Sequence, residues 1–334
     1  MRAAVVDRYG PPSVARVTEV ADPRPKRDQV IVRVEAAAVT SGDARIRAAR
    51  FPAGMALPAR LALGLRGPRN RVLGMAVSGT VDDVGDAVTG LAIGDEVAGM
   101  TGGRMGAHAE RVAVEVKRLV RKPAAVSHEA AAAALFGGTT AWHFLHDVAK
   151  LRAGQDVLVI GASGAVGTSA VQLAKLAGAT VTGVASARNG ELLRGLGVDE
   201  HVDYTATDPA RLGRRFDVII DAVGTLTPRS ARQLVREGGT AVLAVADLWQ
   251  QLRARGQVKA GTAPGSAALV EHLMPLLERG ELDPVIQQTL PLAEIARAYE
   301  IVDSGHKVGN VVVRPRAQTD AARPDSSAAE HHEP

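Results

Sequence analysis

The run Asp156-Val157-Leu158-Val159-Ile160-Gly161-Ala162-Ser163-Gly164-Ala165-Val166-Gly167 constrains this chain more than any other stretch. An apolar, strand-like segment empties into a turn with glycine at 161, 164 and 167, and a helical pattern starts at once. Val166, Ala170, Leu173, Ala174 and Ala177 recur at three- and four-residue steps, and Gly178 stands where such a helix would end. A strand, a glycine turn and a helix in that order make a seat for phosphate. Gly161 permits the sharp exit from the strand, Gly164 lets backbone N–H groups approach a pyrophosphate, and Gly167 allows helix and strand to pack closely. The helix start adds unpaired N–H donors and the positive end of its dipole. Gly161, Ala162, Ser163, Gly164, Ala165, Val166 and Gly167 are all expected to border the phosphates.

The pattern continues as an alternation of strand and helix. Residues 181–185 read as a second strand, 191–196 as a helix closed by Gly197, and 201–204 as a short third strand. Residues 216–221 are apolar enough for a buried parallel strand; a helix over 228–236 and a fifth strand over 240–245 follow. The fold class is therefore α/β, with a doubly wound parallel sheet.

At 334 residues the chain is long for one core. Residues 1–125 read instead as short strands separated by Gly, Pro and Asp turns, the pattern of a barrel-type β domain, with an arginine- and proline-bearing helix and loop over 44–72. An alanine-rich helix from Ser127 and a second helix over 140–150, after Gly137-Gly138, lead into the phosphate-binding unit at 126–262. Residues 263–314 hold too few strands for a third domain and are expected to return to the first. Residues 315–334 have the composition of a disordered tail.

Other classes are excluded or disfavoured by composition. Aromatic residues make up 3% and the net charge of +4 is scattered, which leaves few stacking platforms and disfavours nucleic-acid binding. No cysteine is present, so disulfides, thiol nucleophiles and cysteine-bearing zinc sites are ruled out. His143 and His146 lack a following glutamate in metalloprotease spacing. Gly161-Ala162-Ser163-Gly164-Ala165 is one residue short of a hydrolase nucleophile elbow, because Ala165 replaces the second glycine. No apolar run is long enough for a membrane span or a signal peptide, and a cytoplasmic protein is expected. An exposed sheet edge on the phosphate-binding unit suggests a homodimer.

The end of the second strand indicates which dinucleotide fits. A binder of NADH places Asp or Glu there to hold the ribose hydroxyls. This chain has Ser186, Arg188 and Asn189, a hydroxyl, a guanidinium and an amide suited to a 2′-phosphate. NADPH is the expected cofactor.

Further motifs are Ala36-Ala37-Ala38-Val39-Thr40-Ser41-Gly42-Asp43, Leu73-Gly74-Met75-Ala76-Val77-Ser78-Gly79, Gly94-Asp95-Glu96-Val97, Gly106-Ala107-His108-Ala109-Glu110, Gly138-Thr139-Thr140-Ala141-Trp142 and Gly305-His306-Lys307-Val308-Gly309-Asn310. In this order, around the glycine turn, they resemble the zinc-independent, zeta-crystallin-like quinone oxidoreductase branch of the medium-chain dehydrogenase/reductase superfamily. The resemblance implies a GroES-like catalytic domain beside a Rossmann domain. It also implies that Tyr204 lies near the adenosine phosphate and that Val223, Gly224, Leu243 and Ala244 approach the nicotinamide. The Gly-His-Glu of zinc-dependent relatives is replaced here by Gly74-Met75-Ala76, and Asn310 stands where lysine is usual.

Without a Lewis acid, the acceptors within reach are already electrophilic: a quinone or an α,β-unsaturated carbonyl. Thr40, Ser41 and Thr139 are the hydroxyls expected near the nicotinamide or the developing oxyanion, with Arg45 and His108 at the cleft rim and Asp43 fixing its turn. An NADPH-binding redox sensor or scaffold without turnover is the alternative.

Overall fold

The computed structural model describes residues 1–51 and 53–315, so the segment read as a disordered tail lies outside the described residues except for Pro315. In chain order the strands and helices are β1 (Arg2–Val6), β2 (Ala15–Glu19), β3 (Gln29–Ala38), α1 (Ser41–Ala48), α2 (Ala56–Leu63), β4 (Ala76–Val84), β5 (Glu96–Met100), β6 (Arg111–Glu115), β7 (Leu119–Arg121) and α3 (His128–Trp142). There follow β8 (Asp156–Ile160), α4 (Ala165–Leu176), β9 (Thr180–Ala185), α5 (Gly190–Gly195), β10 (Glu200–Asp203), β11 (Phe216–Asp221), α6 (Pro228–Leu234), β12 (Val235–Leu243), α7 (Leu248–Arg253), β13 (Val258–Ala260), α8 (Ala267–Glu278), β14 (Ile286–Pro291), α9 (Ile295–Asp303) and β15 (Asn310–Arg314).

β8 to β13 form one parallel sheet in the order β10-β9-β8-β11-β12-β13. Its central strands are buried on both faces, which explains the unbroken apolar runs in β8 and β11. The chain leaves β8 to one side for β9 and returns on the other for β11, so the strand ends diverge beside the glycine turn. Crevices for ligands open at such switch points.

The other large sheet is mostly antiparallel, in the order β14-β15-β3-β4-β5-β7 with β6 also paired to β3. β15 lies antiparallel to β3 through Val312–Ala38 and Val313–Ala37, and β14 is parallel to β15. Strands near the chain's end thus complete a sheet begun near its start, around Val32, Val34, Val77, Val97 and Val311.

Two local readings from sequence are corrected. No helix break occurs at Gly137-Gly138: α3 runs through both and continues as a π-helical turn, His143–Val148. The glycines serve close packing instead. A Cβ on Gly137 would stand 2.2 Å from the carbonyl oxygen of Ala165, at the start of α4. Likewise α6 ends at Leu234, and the chain is already in β12 at Val235. There Arg236 reaches Asp156 at 2.6 Å and Asp217 at 2.7 Å on neighbouring strands, an anchorage that helical periodicity does not reveal. β13 was not read from sequence, because three residues between turns carry no periodic signal.

Candidate active site

The three glycines of the turn have separate functions that a virtual Cβ makes visible. Gly161 has φ +81°, a backbone state that favours glycine, and a Cβ there would meet Val223 Cγ1 at 2.6 Å. At Gly167 a Cβ would lie 2.1 Å from the Gly161 carbonyl oxygen and 2.6 Å from Ala162 Cα, which shows how tightly α4 is seated on β8. Gly164 is different: the nearest atom is 3.5 Å away, so its missing side chain leaves open space. Gly164 is also the N-cap of α4 and offers no side-chain cap. The first N–H groups of α4 are therefore available to a ligand.

That space belongs to a cleft of about 600 Å³ bordered by Gly161, Ser163, Gly164, Ser186, Arg188, Asn189, Tyr204 and Val223. The sequence-derived phosphate residues converge here from the ends of three strands. Asn189 Nδ2 donates to Ser186 Oγ at 3.3 Å, while Tyr204 is half exposed. The Arg188 side chain is exposed and makes no hydrogen bond or ion pair among the described residues, so its fork is free to take a phosphate. Ala162 is buried and Val166 is packed against the core, and neither they nor Ala165 and Gly167 border the cleft. Leu243 is likewise buried in the sheet, and Ala244 packs on the core. Val245 and Ala246, just beyond them, reach the cleft side.

Parts of the wall have no signal in local sequence. Residues 205–209 close the end of the cleft after β10; there Asp208 is occupied in capping, accepting from Ala210 N at 2.9 Å. Across the turn, Gly305, His306 and Lys307 of the returning segment form the opposite wall. They are held in place by Gly309 N, which donates to the Ser163 carbonyl at 2.8 Å. Burial pushes the Lys307 ammonium down to a pKa of about 8, and its Nζ donates to the Gly309 carbonyl. The Gly-His-Lys motif was visible in the sequence, but its position against the glycine turn was not.

Asp221, at the end of β11, is fully buried and accepts from the N–H groups of Val223 (3.1 Å), Gly224 (2.9 Å) and Leu226 (2.6 Å). This one carboxylate fixes the loop that carries Val223 and Gly224 into the cleft.

The hydroxyl candidates are mostly occupied. Thr40 caps α1 by accepting from Asp43 N at 3.2 Å, and its Oγ1 donates to Asp43 Oδ2 at 2.7 Å. Thr139 Oγ1 donates to the Leu135 carbonyl at 2.6 Å within α3. Ser41 is exposed at the first position of α1. Asp43 also accepts from Gly74 N at 3.2 Å, tying the α1 turn to the strand entry before β4. His108 is not at the cleft rim: it is 1% exposed, with Nε2 3.1 Å from the Ala38 carbonyl and Nδ1 3.3 Å from the Tyr299 hydroxyl. Burial lowers its pKa, so it sits in the core as a neutral ring. Arg45 does face a cavity, a smaller one that adjoins the main cleft at Val223.

Comparison with known proteins agrees with this architecture. Residues 26–124 match the alcohol dehydrogenase GroES-like domain, and residues 196–313 match the zinc-binding dehydrogenase family. A 2-methylene-furan-3-one reductase of Solanum lycopersicum is 32% identical over 94% of this chain and 79% of its own length. The chain is a medium-chain dehydrogenase/reductase. Within that superfamily it falls in the zeta-crystallin-like quinone oxidoreductase branch. An NADPH-dependent alkenal/one oxidoreductase of Arabidopsis thaliana is 31% identical over 94% of this chain and 80% of its own. The structure of the quinone oxidoreductase from Coxiella burnetii superposes with a TM-score of 0.85 at 26% identity, covering 95% of this chain and 99% of that one. Like other members, this medium-chain dehydrogenase/reductase is an oxidoreductase.

Among the described residues, the zinc in the description of the second family meets no fitting donor set. The chain has no cysteine, and no group of three or more His, Asp or Glu suited to a metal occurs among the described residues. Also among the described residues, no helix is long and apolar enough to cross a membrane.

Proposed function

We propose that this medium-chain dehydrogenase/reductase uses NADPH to reduce a quinone or an α,β-unsaturated carbonyl without zinc. The observation that carries the reading is the convergence of Ser186, Arg188 and Asn189 with the open glycine turn along one cleft. The residues fit the cofactor: α4 N–H groups for the pyrophosphate, Ser186 and Arg188 for the 2′-phosphate, Tyr204 beside the adenosine and the Val223–Gly224 loop toward the nicotinamide. When bound, NADPH supplies a hydride and its electron pair to the β-carbon of a conjugated acceptor, whose α-carbon or oxygen takes a proton from water.

The chain's own contribution is positioning. Asp221 holds the loop beside the acceptor, and the 305–307 wall covers the turn from the other side. Ser41, an exposed hydroxyl at the first position of α1 that caps nothing, is the group assigned to hydrogen-bond a developing oxyanion. Residues 126–262 form the cofactor-binding unit in this reading, and residues 1–125 with 263–314 form the substrate-facing unit. β13, the outer strand of the parallel sheet, offers an edge on which a second copy could extend it.

The test follows loss of NADPH absorbance with quinones, enones and simple aldehydes, with NADH as control. Turnover of conjugated acceptors with NADPH is expected. Cofactor binding without reduction of any acceptor would overturn the proposal in favour of a redox sensor or scaffold, and equal use of NADH would overturn the phosphate assignment.

A further inference from the structure

Beyond Val223 the main cleft continues into a cavity of about 360 Å³ between α1 and the loop after β12. This volume is at the small end of the range for ligand sites. Its apolar wall is Phe51, Val223 and Val245; its charged groups are Arg45, Arg50 and Asp247. These three charges are not equivalent. Arg50 is exposed and paired with Asp303. Asp247 is committed to capping α7, where its Oδ1 accepts from Gln250 N at 2.7 Å. Arg45 is half-buried, and its guanidinium makes no hydrogen bond or ion pair among the described residues.

A half-buried arginine with no carboxylate beside its guanidinium has given up hydration that an anionic ligand would replace. Arg45 also loses hydration to its surroundings and is repelled by Arg50, both of which push its pKa down from the usual arginine value. Nothing in the fold uses this side chain: the backbone of α1 is capped by Thr40 and Asp43 without it. Its planar fork matches the two oxygens of a carboxylate or phosphate.

The geometry points to an acceptor that carries an anionic substituent, held by Arg45 while its conjugated carbonyl lies at the Val223 end of the cavity. This inference rests on the proposed reading and narrows it, from conjugated carbonyls in general to acidic ones. The anion is a carboxylate on the acceptor itself or a phosphate on a carrier to which the acyl group is joined, and the two sources are separable by experiment.

The test compares 4-oxopent-2-enoate with its methyl ester, and crotonyl-CoA with the crotonyl thioester of N-acetylcysteamine, by initial rates of NADPH oxidation. The readout is the ratio of kcat/KM for the charged over the neutral member of each pair. Wild type is expected to favour the charged member of one pair by about 10- to 100-fold, the range that one charge-assisted contact supplies. Preference within the first pair assigns a carboxylate, and within the second a carrier phosphate. Arg45→Leu should reduce the ratio toward unity mainly through KM, and Arg45→Lys should restore part of it. NADPH titration by fluorescence confirms that each variant retains its cofactor site. A wild-type ratio at or below unity in both pairs, with the neutral compounds reduced, would overturn the inference and leave the enone reductase reading intact; so would a ratio that Arg45→Leu does not change. Failure to reduce any of the four compounds or any quinone, with NADPH bound, would overturn the reading itself and the inference with it.

Discussion

Substitution of alanine at Gly164 and at Gly167 separates binding from stability within a single turn. At Gly167 the new Cβ would meet backbone atoms of Gly161 and Ala162 at 2.1 and 2.6 Å, where ordinary contact begins at 3.4 Å. Backbone cannot rotate away, so α4 must lift off β8. Overpacking of this kind costs about 1–3 kcal/mol, and a backbone clash belongs at the upper end. With about 2–4 °C of Tm per kcal/mol for a domain of this size, Gly167→Ala should melt roughly 6–12 °C below wild type. At Gly164 the backbone, φ −82° and ψ 176°, accepts alanine, and the nearest atom is 3.5 Å away. Loss of glycine freedom in the unfolded chain favours the variant by about 0.4–1 kcal/mol, and the poorer N-cap offsets a similar amount. Its Tm should therefore stay within about 3 °C of wild type. Its methyl group would occupy the space before the α4 N–H groups, and NADPH affinity should fall at least ~10-fold, the equivalent of one lost charge-assisted bond. Thermal unfolding of the apo protein and fluorescence titration with NADPH read the two effects independently. A Gly164→Ala protein with wild-type affinity, or a Gly167→Ala protein with wild-type Tm, would refute the assignment of roles.

Three other outcomes are expected. Arg188→Asp should weaken NADPH by about 10- to 100-fold while NADH changes little, as read by paired titrations; equal loss for both would remove Arg188 from the 2′-phosphate site. Asp221→Ala removes a fully buried acceptor from three N–H groups, of which that of Leu226 is left buried, and should destabilise the protein by about 3 kcal/mol, seen as a lower denaturation midpoint at unchanged slope. Burial holds Lys307 near pKa 8 against 10.5 in the unfolded chain, so between these values the unfolded state binds more protons and stability rises with pH. Lys307→Met should flatten that rise in urea midpoints of the apo protein measured at the two ends of the window.

The parallel sheet was legible because its central strands are buried on both faces, and 157–160 and 218–220 therefore read as unbroken apolar runs flanked by glycine or acid. The glycine turn was legible because each glycine answers a local steric demand. What escaped the sequence depends on partners distant along the chain. Gly137-Gly138 resembles a break, yet it is a contact surface for Ala165, and only the packed α3–α4 pair reveals the difference. Arg236 looked helical, and its position is set by acids on two other strands. His108 reads from sequence as a polar group for the cleft rim; in the structure it is buried beside Tyr299, which arrives from α9. The wall at Lys307 was missed for the same reason, since a returning segment carries no local mark of where it returns.

The hydrogen bond from Gly309 to Ser163 also bears on the order in which the molecule can be made. A ribosome releases β3 early, and the part of its edge at Ala37 and Ala38 waits for Val312 and Val313, which are made long afterwards. Until they arrive, the nascent chain holds an unsatisfied strand edge, which invites pairing with other chains and calls for chaperone protection. Refolding in vitro faces the same delay as a step of high contact order. Docking of that late strand covers this stretch of edge and, through the adjoining Gly309, sets the 305–307 wall against the glycine turn, so one pairing joins closure of the sheet to completion of the cleft.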